Sequence, residues 1–288
     1  MGAHSASHTH QMKIQKVSPE TGSLTINRVN AGEIVRNLYE RYHRPEYIHP
    51  DPIEIVHEAD PSSREIAALV ASSLALGQVD LILKAARDVL RRIGRPAELL
   101  RHASLSELLS LFAGFRYRFF AAEHLAGFLV GIGECLRRYG SIEGCFLSCC
   151  DPCDEDLVPA MGRFVTLFRS LCPADIGILL SDPAKGSACK RLALYLRWMT
   201  RRDAIDPGGW RLSPALLVVP VDVHMLRVST MLGFTTRRTP DLKAAREITR
   251  ALREICPEDP VKFDFCMTRL GINPRLSYAD LLDSRNDD

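Results

Sequence analysis

Apolar residues recur every three or four positions along most of the chain. In SSREIAALVASSLAL, Ile66, Leu69 and Val70 share one face of a helix, and this spacing is typical of an amphipathic α-helix packed on a core. Ser62 and Glu65 have the spacing of a capping box, in which each side chain accepts a hydrogen bond from a free amide at a helix start. We therefore expect this pair to begin the helix.

The same period continues in other stretches. LILKAARDVLRRIG runs up to Gly94, and glycine is common just past the end of a helix. Ser104 and Glu107 repeat the capping-box spacing in SLSELLSLF. Helical spacing is also found in AAEHLAGFLVGIGECLRRYG, DLVPAMGRFVTLFRSL, CKRLALYLRWMTRR, DVHMLRVSTMLG, KAAREITRALREIC and PVKFDFCMTRLG. The best strand candidate, LLVVPV, is too short to carry a sheet, so the pattern predicts an all-α fold of roughly nine or ten helices.

No fixed-period repeat and no clear linker divides the chain, so residues 21–278 are predicted to form one domain. Residues 1–20 are polar, and we expect a disordered leader there; residues 279–288 are expected to be a frayed tail. The first residues lack the apolar segment of a secretory signal, and no apolar run approaches the roughly 18 to 20 residues that cross a bilayer. We expect a cytoplasmic protein without a membrane partner.

The cysteines are the one unusual feature of the composition. The chain is 46% hydrophobic and 25% charged, as ordinary soluble proteins are, and its nine cysteines are expected to be reduced. Thiolates at short spacing can bind zinc or an iron–sulfur cluster, but CFLSCCDPC lacks the usual paired CxxC motifs. At residues 145–153 we favour a helix end followed by a loop over a metal site, and we predict no metal and no cofactor.

Charge is distributed unevenly along the chain. The whole sequence carries a net charge of +2, whereas residues 186–253 hold 13 Lys/Arg and 5 Asp/Glu, a net charge of +8. Clustered cations attract a polyanion such as nucleic acid. Solvated helix faces would give the same count, so charge alone leaves both interpretations open.

An apolar run that ends on an acid gives the first candidate for chemistry. In VVPVDVHMLRV, Asp222 directly follows Val221 and stands where the N-cap of the next helix belongs. Capping a helix uses one carboxylate oxygen. The second oxygen is then free to face a cleft, and the apolar segment holds the residue rigidly.

A turn that leads into a helix gives the second candidate. In DPAKGSACKR, Asp182, Pro183 and Gly186 make a turn, the helix is expected to begin near Ser187, and Lys190 lies in its first turn. Free amides at a helix start can hold a phosphate, and a neutral lysine amine can attack carbon. The lysine could equally decorate an exposed helix start.

A lysine and an aspartate on two helix starts suit chemistry at C1′ of a sugar, where the amine attacks and the carboxylate stabilises an oxocarbenium ion. GSACK also resembles the end of the helix–hairpin–helix in the superfamily of endonuclease III and 8-oxoguanine DNA glycosylase. VPVDVHMLRV resembles the Pro-Val-Asp loop of that superfamily, nearest the 8-oxoguanine branch and in a bacterial form. The resemblance implies that Lys190 forms a Schiff base with deoxyribose and that Asp222 assists it.

Further stretches resemble the same superfamily in the same order. LALGQVD resembles a helix end whose glutamine reaches into the DNA, and GFRYRFFAAEHL resembles a helix that carries two arginines. Ala188 departs from the family pattern, which has glycine there. The predicted DNA contacts are Gln78, Arg116, Arg118, Gly186, Ser187, Ala188, Cys189, Arg191, Arg197 and His224.

Several ring-bearing residues fit either a site or the core. Phe263 and Phe265 in KFDFCMTRLG could line a base pocket, but their spacing fits core packing equally well. Trp198 either stacks on a base or lies in the core, and His224 either contacts DNA or is a buried structural histidine.

The resemblance implies a two-lobed helix–hairpin–helix DNA glycosylase with its active cleft between the lobes. Its expected activity is excision of a damaged base, an oxidised purine such as 8-oxoguanine, from double-stranded DNA, followed by cleavage at the abasic site. No obligate protein partner is expected, and the location would be the bacterial cytoplasm, in association with the nucleoid. A non-catalytic DNA-binding protein on the same scaffold and a helical protein-interaction module are the alternatives.

Overall fold

The described part of the chain is almost entirely helical. The computed structural model describes residues 28–283, so the predicted leader at residues 1–20 lies outside it. Within residues 28–283 the regular structure consists of α-helices, three short 3₁₀ turns and one hairpin of two-residue strands. The all-α prediction is confirmed.

The helices follow one another closely along the described residues. In the first half they are α1 (Arg28–Tyr42), α2 (Glu54–Glu58), α3 (Arg64–Ser73), α4 (Val79–Ile93), α5 (Pro96–His102), α6 (Leu105–Leu111) and α7 (Ala122–Tyr139). In the second half they are α8 (Ile142–Leu147), α9 (Val158–Leu171), α10 (Lys190–Thr200), α11 (Val223–Met231), α12 (Leu242–Ile255), α13 (Asp264–Ile272) and α14 (Asp280–Asp283). More helices form than we predicted, because short ones such as α2 and α5 have about two turns or fewer and show little periodicity.

The remaining regular elements are short. The 3₁₀ turns are Pro45–Tyr47, Pro183–Lys185 and Pro214–Leu216. The strands β1 (Arg116–Tyr117) and β2 (Phe120–Ala121) pair antiparallel. Of the predicted frayed tail, α14 lies within the described residues, and the segment that follows it lies outside them.

One of the two predicted capping boxes forms, and the other does not. Ser104 and Glu107 form the expected capping box at the start of α6. Ser62 and Glu65 do not, because α3 starts one residue later and its N-cap makes no side-chain bond. Instead the Glu65 carboxylate accepts hydrogen bonds from the amides of Ile142 and Glu143, both at 3.1 Å. The carboxylate therefore caps α8, which only the tertiary fold brings near it.

Aromatic side chains of α7, α9 and α10 meet in the core. The rings of Phe128 in α7 and Phe168 in α9 have centroids 5.4 Å apart, and Phe164 packs on Phe168 at 5.7 Å. Trp198 of α10 is 1% exposed, so the core interpretation of this residue is confirmed. Because α10 also packs on α3, the position of its first residue, Lys190, is fixed.

Two arginines and the acids around them tie α10 to α13. Arg197 donates to Asp206 at 2.9 Å and also pairs with Asp264 at the start of α13. Arg201 donates to Asp259 at 3.0 Å and pairs with Asp206. We call these five residues the buried arginine network. Burial of an ion costs several kcal/mol by rough estimate, and the multiple pairings offset this cost.

The cysteine-rich stretch follows the predicted course. Cys145 lies in α8, and Cys149, Cys150 and Cys153 follow the end of that helix, so the prediction of a helix end with a loop is confirmed. Among residues 28–283 no three His, Cys, Asp or Glu residues converge where a metal ion could be held. In the same range no helix combines the length and the apolar character needed to cross a membrane.

Candidate active site

A pocket of about 580 Å³ opens beside the first turn of α10. Its wall is built mainly from residues 50–52, 75–82, 190–197, 220–224 and 264–272. Small-molecule sites span about 300 to 1,000 Å³, so this volume is sufficient for a small organic ligand. The structure thus brings together the two segments that the sequence singled out, around Lys190 and around Asp222.

Asp222 uses its two carboxylate oxygens for two different tasks. Its Oδ1 accepts hydrogen bonds from the amides of His224 and Met225, both at 2.9 Å, and so caps α11. Its Oδ2 lies 2.9 Å from Lys190 Nζ. The predicted N-cap is confirmed, and the second oxygen faces the pocket as expected from the sequence.

The apolar segment before Asp222 explains why the carboxylate is held in place. Val219 and Val221 are buried, and the amide of Val219 donates to Thr249 Oγ1 of α12 at 3.0 Å. Within LLVVPV, Leu216 ends the 3₁₀ turn Pro214–Leu216, and residues 217–221 are buried without forming a strand.

Lys190 is the first residue of α10 because the preceding turn uses two left-handed residues. Gly186 has φ +76°, and Cys189, the N-cap, has φ +46°; the helix consequently starts later than predicted. Arg191 donates to the carbonyl of Ser73 at 2.7 Å and fastens this helix start to α3. The Lys190 side chain remains 36% exposed.

The surroundings of Asp222 favour its ionised form. Burial opposes ionisation, but the Lys190 ammonium and the amide of Met225 outweigh it, so the pKa of Asp222 lies below its ordinary value. A carboxylate that stays charged beside a pocket can stabilise a positive charge that develops on a bound substrate.

His224 is held against the backbone of α13. Its Nδ1 lies 3.0 Å from the hydroxyl of Tyr278. A Cβ atom on Gly271 would lie 2.2 Å from both atoms, so only glycine allows this approach. His224 contributes to the pocket wall but is already engaged with Tyr278, which favours its structural interpretation.

Gln78 and Arg118 lie at the edge of the pocket, whereas Arg116 lines a second pocket, between the hairpin and α4. Gln78 is the exposed N-cap of α4 and part of the pocket wall. Arg118 lies beside Gly77, since a Cβ atom there would be 3.2 Å from its Nη1. Tyr117 donates to the carbonyl of Leu76 at 2.8 Å and anchors the hairpin to this edge.

Arg116 and Arg118 lie in the β1–β2 hairpin, so the helix predicted there is wrong. Phe115 and Tyr117 are buried while the two arginines are exposed. This alternation has the period of a strand, and it is visible in GFRYRFF. Arg118 has φ +53°, which turns the chain between the strands.

Two other predicted phosphate-binding arginines are engaged inside the protein. Arg191 donates to the carbonyls of Ser73 and Ile178 and to Ser181 Oγ. Arg197 is 4% exposed and belongs to the buried arginine network. We therefore correct the prediction that these guanidinium groups contact DNA, because Arg197 is buried and both guanidinium groups donate to protein acceptors.

The turn before α10 offers fewer amides than predicted. The amide of Gly186 donates to the carbonyl of Pro183 at 2.9 Å, and that of Cys189 donates to Ser187 Oγ at 3.1 Å. Ala188 and Cys189 are buried, which corrects their assignment as DNA contacts. Of the four predicted contacts at residues 186–189, the exposed Gly186 and the half-buried Ser187 present a surface to a ligand.

Phe263 and Phe265 belong to the core rather than to the pocket wall. They are 2% and 1% exposed, and the Arg269 guanidinium lies over the Phe265 ring at 4.5 Å. The base-pocket interpretation is therefore corrected. The side of α13 that borders the pocket instead carries Asp264 and Arg269.

Sequence reasoning missed several residues around the pocket. Asp264 and Arg269 interrupt the apolar pattern of PVKFDFCMTRLG. Charged residues inside such a pattern are the sequence feature by which they could have been found. Arg269 pairs with Asp51, which also borders the pocket. Phe119, at the tip of the hairpin, is 69% exposed, and Arg118 lies 5.9 Å from its ring.

Comparison with known proteins gives one match. The DUF2400 family, described as protein of unknown function, matches residues 51–273. No curated protein and no solved structure matches the chain. The predicted membership of the helix–hairpin–helix glycosylase superfamily is therefore wrong, since the family that covers most of the chain is a different one.

Proposed function

The chain belongs to the DUF2400 family, and we propose that it is a DNA glycosylase with AP lyase activity. The observation that carries this proposal is the 2.9 Å contact between Lys190 Nζ and Asp222 Oδ2 on the wall of the pocket. An amine that can form a Schiff base and a carboxylate that can stabilise an oxocarbenium ion are the two groups that this chemistry needs.

The two side chains divide the reaction between them. As the bond between C1′ and the base breaks, its electron pair leaves with the base, and the Asp222 carboxylate stabilises the positive charge on the sugar. The departing base takes a proton from the Lys190 ammonium, and the neutral amine then bonds to C1′. The new C1′–N ammonium gives a proton to the ring oxygen O4′ as the C1′–O4′ bond breaks, which leaves a protonated Schiff base. Water then removes a C2′ proton, and the C3′–O bond breaks with its electron pair leaving on the 3′ phosphate.

The surface around the pocket supports duplex DNA as the substrate. Gln78 borders the pocket, the exposed Arg118 lies beside Gly77 of its wall, and the exposed Arg116 lies on the same hairpin. Neither arginine forms an ion pair within the described residues, so both are available for phosphates. The exposed Phe119 at the same hairpin tip has the apolar character of side chains that enter a base stack.

The pocket also suggests the kind of base and the finer architecture. Asp264 on its wall provides an acceptor for a base edge rich in polar groups, so we take an oxidised purine such as 8-oxoguanine as the substrate. We further propose that the helices form two lobes with the pocket in the cleft between them. A cytoplasmic, nucleoid-associated protein that acts on damaged double-stranded DNA follows from this proposal.

Borohydride trapping tests the proposal. Borohydride reduces a Schiff base to a stable covalent bond, so protein mixed with duplexes containing an abasic site or 8-oxoguanine should shift to the mass of a protein–DNA adduct. Lys190→Gln should abolish the adduct. Lys185→Gln, which removes an exposed lysine of the same turn, should retain it.

The outcomes separate the proposal from its alternatives. Binding that falls steeply with salt, without any adduct or released base, would indicate a non-catalytic DNA-binding protein. Absence of any affinity for DNA would indicate a protein-interaction module. Either result contradicts the proposed activity.

A further inference from the structure

A buried carboxylate on the pocket wall has one oxygen without a partner. Asp264, the first residue of α13, is 2% exposed and borders the same pocket as Lys190 and Asp222. Its Oδ2 accepts from Arg197 Nη1, whereas its Oδ1 has no hydrogen-bond partner among the described residues. A buried polar atom without a partner is unfavourable, so a ligand that supplies a donor to it binds more tightly.

The buried arginine network prevents Asp264 from turning away. Arg197 is itself fixed by Asp206, with Nη2 to Oδ1 at 2.9 Å, and its guanidinium lies 6.0 Å from the ring of Phe265. The Asp264 carboxylate is thus oriented from one side by Arg197, which leaves Oδ1 as its oxygen without a protein partner among the described residues. Burial raises the pKa of Asp264 to about 6, so at neutral pH the carboxylate is mostly ionised and acts only as an acceptor.

We propose that Asp264 Oδ1 accepts a hydrogen bond from the N1–H group of the extruded base and thereby selects a guanine-type purine. This inference rests on the proposed glycosylase function. A guanine-type base has two adjacent donors on its pairing edge, N1–H and the N2 amino group. An adenine-type base has a lone pair at N1, which a carboxylate repels.

The network also determines what an asparagine at this position would do. Arg197 Nη1 donates to position 264, so the amide of Asp264→Asn must turn its carbonyl oxygen toward Arg197. Its NH₂ group then occupies the place of Oδ1. The substitution therefore changes an acceptor into a donor at nearly constant volume, and it should favour a base that offers a lone pair.

The test compares three duplexes under single-turnover conditions: one with 8-oxoguanine, one with 8-oxoadenine and one with an abasic site. For Asp264→Asn, the ratio of 8-oxoguanine excision to abasic-site cleavage should fall about 10- to 150-fold, the range for loss of a hydrogen bond to a charged group. The ratio of 8-oxoguanine to 8-oxoadenine excision should fall as well. Unchanged ratios overturn the inference.

A second measurement needs only the wild-type protein and so does not depend on folding of the variant. A duplex with 8-oxoguanine methylated at N1 lacks the donor that Asp264 would bind, and we expect its excision to be slower than that of 8-oxoguanine by a similar factor. Equal excision of both bases contradicts the inference. Wild-type protein that cleaves an abasic site but releases no 8-oxoguanine overturns the assigned base alone, whereas wild-type protein that cleaves neither duplex overturns the proposed function.

Discussion

The Lys190–Asp222 pair and the buried arginine network contain similar charged groups in opposite surroundings. The side chains of Lys190 and Asp222 are 36% and 16% exposed, whereas those of Arg197 and Asp206 are 4% and 0% exposed. Among residues 28–283 Lys190 has one acidic partner, while each arginine of the network has at least two. The buried charges of the network hold the structure in place. The Lys190 ammonium, at the opening of the pocket, stays accessible.

The same comparison applies to two acids on the pocket wall. Burial opposes ionisation of Asp222, but the Lys190 ammonium outweighs it and lowers its pKa, whereas burial dominates at Asp264 and raises its pKa to about 6. Environments that push the pKa values of neighbouring carboxyls apart allow them to take different roles. In the proposed reaction, Asp222 would stabilise the sugar cation and Asp264 would accept a hydrogen bond from the base.

Breaking the network should have the largest effect on stability. In Arg197→Met, the Asp206 and Asp264 carboxylates lose a buried partner, so we expect the free energy of unfolding to fall by about 3–5 kcal/mol. Urea unfolding at neutral pH measures this loss. Arg202→Met, which removes an exposed arginine nearby, is the control and should change stability by about 0.5 kcal/mol or less. A loss in Arg197→Met no larger than in the control would contradict a structural role for the network.

Asp222→Asn should affect activity far more than stability. Asparagine caps helices about as well as aspartate, but it lacks the negative charge, so we expect base excision to slow by about 10²–10³-fold. Single-turnover excision and thermal unfolding of the same preparation measure the two effects. Full excision by this variant would show that the charge of Asp222 is not needed.

The pH dependence of stability should distinguish Asp264. Its pKa in the folded protein, about 6, lies above the unfolded value of about 3.9. Protonated Asp264 therefore stabilises the fold fully at a pH below the unfolded pKa. This stabilisation is lost as the pH rises through the folded pKa. Relative to wild type, Asp264→Asn should be most destabilised at about pH 4 and less so at about pH 7. Urea unfolding across this range tests the expectation, and a difference that does not vary with pH would refute it.

The smallest effect is expected at the hairpin. Arg118→Gln removes one exposed cation, so affinity for undamaged duplex should fall slightly, and the slope of log K against log salt concentration should decrease by about 0.9. Fluorescence anisotropy at several salt concentrations measures the slope. Arg202→Gln serves as the matched exposed control away from the pocket wall. An unchanged slope in Arg118→Gln would remove the hairpin from the proposed DNA surface.

The sequence was sufficient to predict the central pair. Asp222 stands at an N-cap after a buried apolar run, and Lys190 follows a glycine turn at a helix start. Both positions depend mainly on local rules of helix initiation. The starts of α10 and α11 were therefore predicted to within a few residues. The helical class followed in the same way from periodicity, which is strongest in long helices such as α4 and α7.

Long-range partners could not be predicted from local rules. Arg197 has the same appearance in the sequence as an exposed arginine, and only the fold places Asp206 and Asp264 around it. Glu65 has capping-box spacing, yet it caps α8 because the tertiary structure brings that helix start closer. The net charge of residues 186–253 likewise overstated the basic surface, since Arg191, Arg197 and Arg201 are used inside the protein.

Mapping the site of borohydride trapping tests the central claim most directly. After reduction with an abasic duplex, nuclease and protease digestion followed by mass spectrometry identifies the peptide that carries the sugar remnant. We expect the remnant on Lys190 and on no other lysine. An adduct on a different lysine, or none under conditions where the duplex is bound, would contradict the assignment of Lys190 as the nucleophile.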